Sequence, residues 1–325
     1  MKRFTRLVSL ALTAAFVVSF AASVSAATVI KLGTTVNEQD SFQVAAVKFS
    51  ELVKERTGGK YVIEIYPNAS LGDERTMLEG MRMGTMDMGV ITSGPFVNFV
   101  PDFGVLDMPF LFRDNAHVYA VLDGPIGQEF LDKLDKIGIK GLAYAERGFR
   151  NLTNNVRAVK TADDVKGLKV RVMENEVYTR TFKALGVNAV PMAFTETLTA
   201  LQQGTIDGQE NPVNLIHAYK LWDSQKHASL TRHAYAAALF TMSKRLFDKF
   251  PADVQKILKD SAQDAAVYQR AWVAENEADQ IAAIKANGMA VEENPDIESF
   301  KKGVQSVYDS YPQFKDYVSK IQAVE

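Results

Sequence analysis

Two residues in the middle of the chain are suited to holding a small carboxylate. Arg171 lies in Leu168–Met173, a segment whose alternation of side chains predicts a strand. Asn211 precedes Pro212, and the residue before a proline favours extended backbone. A guanidinium can bind a carboxylate through two parallel hydrogen bonds, and an amide can orient it. The alternative interpretations are an exposed edge residue for the arginine and a turn residue or helix cap for the asparagine.

Three further residues are candidates for the same site. Arg150 stands at the start of a predicted strand, where strand ends border a cleft, although a surface ion pair would also explain it. Glu74 stands at the start of a predicted helix, where an acid also interacts favourably with the helix dipole. Phe194 lies in a predicted turn, where its ring could form the wall of a pocket, although core packing is the more common role of phenylalanine.

The sequence contains no pattern typical of a catalytic or metal site. It has no cysteine, which excludes disulfides, thiolate catalysis and cysteine-ligated metals. Its four histidines lack the spacing of a metal-binding pair, and there is no nucleophile elbow, P-loop or dinucleotide fingerprint. The carboxylates form no recognisable acid–base pair. We therefore expect no cofactor, no metal and no enzymatic activity.

The composition is that of an exported globular protein. Hydrophobic residues make up 47% and charged residues 23% of the chain, and a net charge of −2 gives no reason to expect nucleic acid as a partner. A basic start, an apolar stretch over residues 7–20 and small residues before Ala27 predict a secretory signal peptide over residues 1–26. Its removal would leave 34 basic and 39 acidic residues, a net charge of −5. We expect the mature chain to act in a bacterial periplasm.

The order of the predicted elements favours two α/β units joined by more than one crossing. Strands are predicted at 29–34, 61–66 and 86–92, with helices between them at 42–57 and 73–83. This alternation predicts a largely parallel sheet covered by helices. Residues 165–211 repeat the same alternation, which predicts a second unit of the same kind. Such an arrangement is typical of a protein that closes on its ligand by hinge motion.

A long helix and a returning strand are predicted in the last third of the chain. Residues 236–242 are apolar and strand-like, and we expect them to rejoin the first sheet. Neither glycine nor proline occurs between Pro251 and Gly288, which predicts one helix of roughly 36 residues, about 54 Å long. Because this exceeds the width of a single unit of this size, we expect the helix to lie across both.

Several motifs, in order, resemble the extracytoplasmic solute receptors of TRAP transporters, the DctP family. The resemblance covers essentially the whole chain after the predicted signal peptide. It implies an α/β fold in the form of a two-lobed, periplasmic-binding-protein-like clamp, each lobe a sheet flanked by helices, with a long helix spanning both lobes. The motifs that carry it are Tyr66–Arg75, Gly84–Gly89, Asp163–Arg171, Pro191–Glu196 and Ala200–Asn211.

The resemblance also implies that each lobe is discontinuous in sequence. The first lobe is expected to comprise residues 27–148 with about 237–276. The second is expected to comprise about 149–236 with 277–325. The implied partners are a small organic-acid ligand and the membrane permease subunits of a TRAP transporter, and the chain is expected to be a monomer that does not bind nucleic acid.

The resemblance implies a role for each candidate residue. Arg171 matches the arginine that forms a paired salt bridge with the ligand carboxylate, and Arg150 matches a second basic contact. Asn211 matches an amide that orients the carboxylate, and Phe194 matches a ring against the ligand. Glu74 matches an acidic contact found in some members.

The expected identity of the ligand depends on Thr35 and Thr92 and on whether Glu74 lines the site. Thr35 and Thr92 stand where sialic-acid-binding members have an asparagine and a glutamate, so sialic acid is not expected. If Glu74 lines the site, a sugar acid such as a uronate or aldonate is favoured. If it does not, a C4-dicarboxylate is favoured, with Arg150 or Arg147 as its second anchor. The alternative functions are a secreted enzyme acting on an acidic sugar and a sensory ligand receptor.

Overall fold

The computed structural model describes residues 26–325, so the predicted signal peptide, apart from its last residue, lies outside the described part of the chain. Two mixed sheets flanked by helices organise these residues. Eleven strands are found in them: β1 (Thr28–Gly33), β2 (Tyr61–Tyr66), β3 (Met88–Thr92), β4 (Ile139–Phe149), β5 (Asn151–Asn154), β6 (Lys169–Val172), β7 (Asn188–Pro191), β8 (Gly208–Asn211), β9 (His227–Ser229), β10 (Tyr235–Ser243) and β11 (Ala290–Glu292).

Twelve α-helices cover the two sheets within residues 26–325. In chain order they are α1 (Ser41–Arg56), α2 (Glu74–Met83), α3 (Asn115–Leu122), α4 (Pro125–Asp135), α5 (Glu176–Ala184), α6 (Phe194–Gln202), α7 (Val213–Ala218), α8 (Lys244–Phe247), α9 (Ala252–Ala286), α10 (Ile297–Gly303), α11 (Gln305–Asp309) and α12 (Lys315–Gln322). Among these residues, no helix combines the length and the apolar character needed to cross a lipid bilayer.

The first sheet has five strands in the order β2-β1-β3-β10-β4. Strand β1 is parallel to β2 and β3, whereas β10 is antiparallel to β3 and β4. The predicted parallel trio and the predicted return strand are therefore confirmed. Parallel pairing places the carboxyl ends of β1 and β3 at the same edge of the sheet, which is where ligand-binding residues of α/β proteins usually lie.

The second sheet has six strands in the order β11-β9-β5-β8-β6-β7. The chain enters it directly from the first sheet, because β4 ends at Phe149 and β5 begins at Asn151. Arg150 is thus the single residue between the two sheets at this crossing. The chain returns to the first sheet through residues 230–234, and the Arg150 N–H donates to the Ala234 carbonyl oxygen at 2.8 Å, so the two crossing segments are hydrogen-bonded to each other.

Helix α9 confirms the predicted long helix. It has 35 residues, about 52 Å at 1.5 Å per residue. It packs on α1 and β4 of the first sheet and then on α7 and β11 of the second half. Its buried face runs from Val254 near its start to Ile284 near its end and includes the polar side chains of Gln269, Arg270 and Gln280.

The last helix packs on the first half of the molecule, although residues 277–325 were assigned to the second lobe by resemblance. On α12, the Tyr317 hydroxyl accepts from Lys133 of α4 at 2.6 Å. The Ile321 carbonyl oxygen lies 2.9 Å from Nε2 of His117, on α3. The lobe boundaries stay a prediction.

Candidate functional site

The residues predicted for the site line one cavity of about 280 Å³. Side chains from both sheets and from α2 and α6 contribute to it. Its lining includes every one of the predicted positions, Thr35, Glu74, Thr92, Arg150, Arg171, Phe194 and Asn211, together with Arg147, Met173 and Leu215. Residues that are far apart in sequence are thus brought to one place, and their contact with a ligand stays a prediction.

A wider space of about 420 Å³ adjoins this cavity and shares five lining residues with it, Thr35, Glu74, Arg171, Met173 and Phe194. Its other lining residues, such as Arg75 and Asn98, are more exposed. We use the name ligand cavity for the inner space of about 280 Å³. The outer space therefore lies nearer the surface than the ligand cavity.

Arg171 is a buried cation on β6 that makes no ion pair among residues 26–325. Only 3% of its surface is exposed. Its Nε and Nη2 both donate to the Met192 carbonyl oxygen, at 2.9 and 2.7 Å, which fixes the plane of the guanidinium. Removal from water lowers the pKa of Arg171 to about 10, so it is still charged at neutral pH. A buried, charged and unpaired guanidinium is well suited to a ligand carboxylate.

Arg150 also lines the ligand cavity, but its charge is balanced within the protein. It is 1% exposed, and it donates through Nε to Glu210 Oε2 and through Nη2 to Oε1 at 2.8 Å. Nε2 of His233 lies 3.1 Å from the same carboxylate. Burial by itself would raise the pKa of Glu210, but Arg150 and His233 hold it below its ordinary value. Direct contact of Arg150 with a ligand stays a prediction.

The positive charge of Arg147 is balanced in the same way, by the carboxylate of Asp40. Its Nη1 donates to Asp40 Oδ2 at 2.7 Å, and both side chains are buried. Its guanidinium lies 3.7 Å from the centre of the Phe42 ring, a cation–π contact. Asp40 also caps α1 by accepting from the Phe42 N–H at 2.9 Å. The sequence offered Arg147 only as an alternative second anchor, and it gave no sign of Asp40 or Glu210 as partners.

Glu74 faces the ligand cavity from the first turn of α2. Its Oε1 accepts a hydrogen bond of 2.7 Å from the Thr92 backbone N–H. Burial raises the pKa of Glu74, while the Thr92 hydrogen bond and the charges of Arg147 and Arg171 act in the opposite direction. Glu74 therefore lies both at the start of a helix and at the cavity, and the two interpretations of this residue do not exclude each other.

Asn211 and Phe194 line the ligand cavity on the side of the second sheet. Asn211 ends β8 opposite Asn151 of β5, and its Nδ2 donates to Gln209 Oε1 at 2.5 Å. The Phe194 ring packs edge to face on Tyr219, with 5.0 Å between the ring centres. Held in this way, the Asn211 amide oxygen and the Phe194 ring are restricted in orientation before any ligand binds.

Thr35 and Thr92 lie where the parallel strands β1 and β3 end. Both are buried at the edge of the ligand cavity. Their hydroxyls are small, so this side of the cavity keeps room that a larger polar residue would occupy. The Thr92 backbone also holds Glu74 in place.

Comparison with known proteins identifies the family. The DctP model, described as bacterial extracellular solute-binding protein, family 7, matches residues 32–313. The chain belongs to this family. The resemblance predicted from the motifs is thereby confirmed, together with the solute-binding function and the two-sheet α/β fold that it implied.

Individual DctP relatives resemble the chain over most of its length. A solute-binding protein of Verminephrobacter eiseniae is 47% identical over 279 residues, 86% of this chain and 83% of the relative. The 2,3-diketo-L-gulonate-binding periplasmic protein of Escherichia coli is 38% identical over 325 residues, 98% of this chain and 99% of the relative. The solved structure of a TRAP periplasmic solute-binding protein of Polaromonas sp. JS666, bound to D-erythronate, has a TM-score of 0.90 at 42% identity and covers 92% of this chain and 99% of that one.

A buried acid connects the two halves of this DctP protein beside the site. Asp107, in the 3₁₀ helix Pro101–Asp107, accepts from Ser93 Oγ at 3.2 Å and from Asn175 Nδ2 at 2.8 Å. Asn175 caps α5 of the second half. Burial raises the pKa of Asp107 to about 7, because its neutral form is easier to bury than its charged form.

The pKa of Asp107 predicts a pH dependence of stability. An unfolded aspartate has a pKa of about 3.9, so between roughly pH 4 and 7 the folded protein keeps a proton that the unfolded chain releases. The contribution of Asp107 to the free energy of unfolding should therefore be largest below about pH 4 and fall as the pH rises to about 7. Urea unfolding of the wild type and of Asp107→Asn from pH 4.5 to 8 would measure it. A difference between the two proteins that stays constant over this range would contradict the prediction.

Proposed function

We propose that the protein is the periplasmic receptor of a TRAP transporter and that it binds a sugar acid with one carboxylate and several hydroxyls. It would deliver this ligand unchanged to the membrane permease subunits. The balance of charges in the ligand cavity carries the proposal.

The charges of the ligand cavity favour a single carboxylate on the ligand. Arg147 and Arg150 are neutralised by Asp40 and Glu210, as described above. Among the lining residues, Arg171 is then the cation without a carboxylate partner. A ligand carboxylate on Arg171 would give this buried guanidinium the ion-pair partner that it lacks, in a site where an unpaired charge is costly.

Glu74 favours hydroxyls over a second carboxylate. Its carboxylate is held by the Thr92 N–H and faces the same cavity as Arg171. An ionised acid accepts hydrogen bonds from hydroxyl groups but repels a like charge. A C4-dicarboxylate would need a second unpaired cation, and within the lining of the cavity the other arginines are already paired. We therefore favour the sugar acid over the dicarboxylate.

Two of the related proteins support the same class of ligand. The name of the Escherichia coli relative gives 2,3-diketo-L-gulonate, and the Polaromonas structure holds D-erythronate. Each of these is a sugar-derived acid with one carboxylate. The two acids share a carboxylate and hydroxyls but differ in chain length and oxidation state. They therefore support the class of ligand and leave its length open.

Closure of two lobes over the ligand is part of the proposal. We infer that the lobes divide as the resemblance implied. The first comprises residues 27–148 with about 237–276, and the second comprises about 149–236 with 277–325. Thr35, Glu74 and Thr92 would come from the first lobe, and Arg171 and Asn211 from the second. A ligand that contacts both lobes binds the closed form more tightly than the open form, and this difference in affinity would drive closure.

Replacing Glu74 by glutamine tests the proposed ligand class. Calorimetric titration of the wild type with aldonates, uronates and C4-dicarboxylates should give tight binding of a sugar acid only. Glu74→Gln should weaken sugar-acid binding roughly tenfold. It should improve the binding of succinate relative to that of the sugar acid, because the repulsive charge is gone while the Thr92 hydrogen bond can persist.

Glu79→Gln is the matched control, since Glu79 is on the same helix, is 47% exposed and pairs with Arg75 on the surface. It should bind like the wild type. A wild type that prefers dicarboxylates, or a Glu74→Gln variant with unchanged preference, would contradict the sugar-acid assignment. Conversion of the ligand during a long incubation would instead support the rival function of a secreted enzyme.

A further inference from the structure

A second cavity, of about 310 Å³, lies between α9 and the segments that join the two sheets. Gly148 and Phe149 at the end of β4 line it, and so do Pro212, between β8 and α7, and Val213 and Asn214 in the first turn of α7. It shares no lining residue with the ligand cavity. We call it the hinge cavity, because its walls are the segments that would move if the two sheets changed their relative orientation.

Oxygen acceptors without hydrogen-bond donors are concentrated in the hinge cavity. Gln280 lines it and is 6% exposed, and its Oε1 is buried with no hydrogen-bond partner in the structure. Oδ1 of Asn115, another lining residue, is buried without a partner as well. Leaving such acceptors unsatisfied costs free energy, and in most proteins they are satisfied.

Two carboxyl groups also line the same cavity. Glu146 is buried, and Tyr119 donates to its Oε2 at 2.5 Å. Within residues 26–325 no donor is found for its Oε1. Glu277 lies at the rim, with 39% of its side chain exposed. The single basic residue of the lining is Arg232, which stacks on Phe149 at 4.5 Å and is 3.8 Å from Glu277.

The backbone keeps this space open. Val273, Glu277 and Gln280 are four and three residues apart on α9, so they share one face of the helix. Gly148 has a φ of +113°, which favours glycine, and a Cβ at this position would lie 3.4 Å from both Glu146 Oε1 and Pro212. A side chain at residue 148 would therefore point at the unpaired carboxylate oxygen.

We propose that the hinge cavity binds a hard cation, Na⁺ or Ca²⁺, through the oxygens of Asn115, Glu146, Glu277 and Gln280. Carboxylate and amide oxygens are the ligands that such ions prefer. A single water molecule has only two hydrogens to donate, so one water would leave some of these acceptors unsatisfied. Because the oxygens come from α3, β4 and α9, a bound cation connects elements on either side of the crossing at Gly148.

Thermal unfolding of the full mature chain tests this site. After treatment with a chelator, the protein is titrated with CaCl₂ or NaCl, and choline chloride keeps the ionic strength constant. The midpoint Tm of the wild type should rise by roughly 2 °C or more with one of the two cations. Gln280→Leu should fold, because it removes a buried unsatisfied oxygen, and should lose most of that rise. Glu277→Gln, at the exposed rim, should weaken it.

Glu275→Gln is the control for helix charge, since Glu275 is exposed on α9 and lies outside the lining of the hinge cavity. It should keep the full cation response. Arg171→Ala should also keep it, which separates this site from the proposed ligand function. No rise beyond the choline control, or an unchanged rise in Gln280→Leu, would overturn the proposal and leave ordered water as the occupant.

Discussion

Arg171→Ala is expected to weaken sugar-acid binding by roughly 30-fold or more, which corresponds to about 2 kcal/mol. The reason is that Arg171 is the lining cation without a carboxylate partner, so its charge is available to the ligand alone. Removing one member of a desolvated, charge-assisted pair leaves the other buried and unpaired. Isothermal titration calorimetry of the variant and the wild type with the same sugar acid gives the ratio directly.

Arg171→Lys is the informative companion variant. It keeps a positive charge but cannot form two parallel hydrogen bonds, so its affinity should lie between those of the wild type and the alanine variant. The folded state without ligand should lose little stability in either variant, because a buried charge without an ion-pair partner carries its own desolvation penalty. If Arg171→Ala binds the sugar acid with an affinity within about threefold of the wild type, Arg171 does not bind the ligand carboxylate.

Much of the fold was predictable because it depends on local patterns. The β-branched and aromatic residues of 61–66 act through short-range chemistry, and strand β2 lies where they predict it. The long helix α9 follows from the lack of helix-breaking residues. Strand β11 was not predicted, because it has three residues and depends on pairing with β9, which is distant in sequence.

The site was predictable as a set of positions, whereas its charge pairing was not. Motif resemblance pointed to Arg150 as a basic contact, and the residue does line the ligand cavity. What no local pattern could reveal is that Glu210 is its partner, 60 residues away. The structure supplies the missing information: Glu210 lies between Gln209 and Asn211 in a strand that is buried throughout, and a buried acid requires a partner. The choice of ligand depends on such pairings, because they decide which cations are free.

Glu210→Gln is expected to destabilise the protein by about 3–5 kcal/mol. The substitution keeps the shape of the side chain but leaves the Arg150 guanidinium, 1% exposed, without an opposite charge. His233 also loses the acid that lies 3.1 Å from its Nε2. Urea unfolding of Glu210→Gln and Arg150→Met should each show a large fall in the midpoint, whereas Glu79→Gln, which alters an exposed pair, should change it little.

The double variant Arg150→Met/Glu210→Gln distinguishes a mutual charge pair from two independent packing effects. Because replacing both members of a buried pair removes the desolvation cost together with the attraction, the double variant should be clearly more stable than the sum of the single effects predicts. Simple additivity would show that the pair contributes only packing. The same interaction governs the ligand: with Glu210 neutralised, Arg150 becomes a second free cation in the cavity. Glu210→Gln should therefore bind a C4-dicarboxylate better than the wild type does, and unchanged discrimination would mean that Arg150 is out of the ligand's reach.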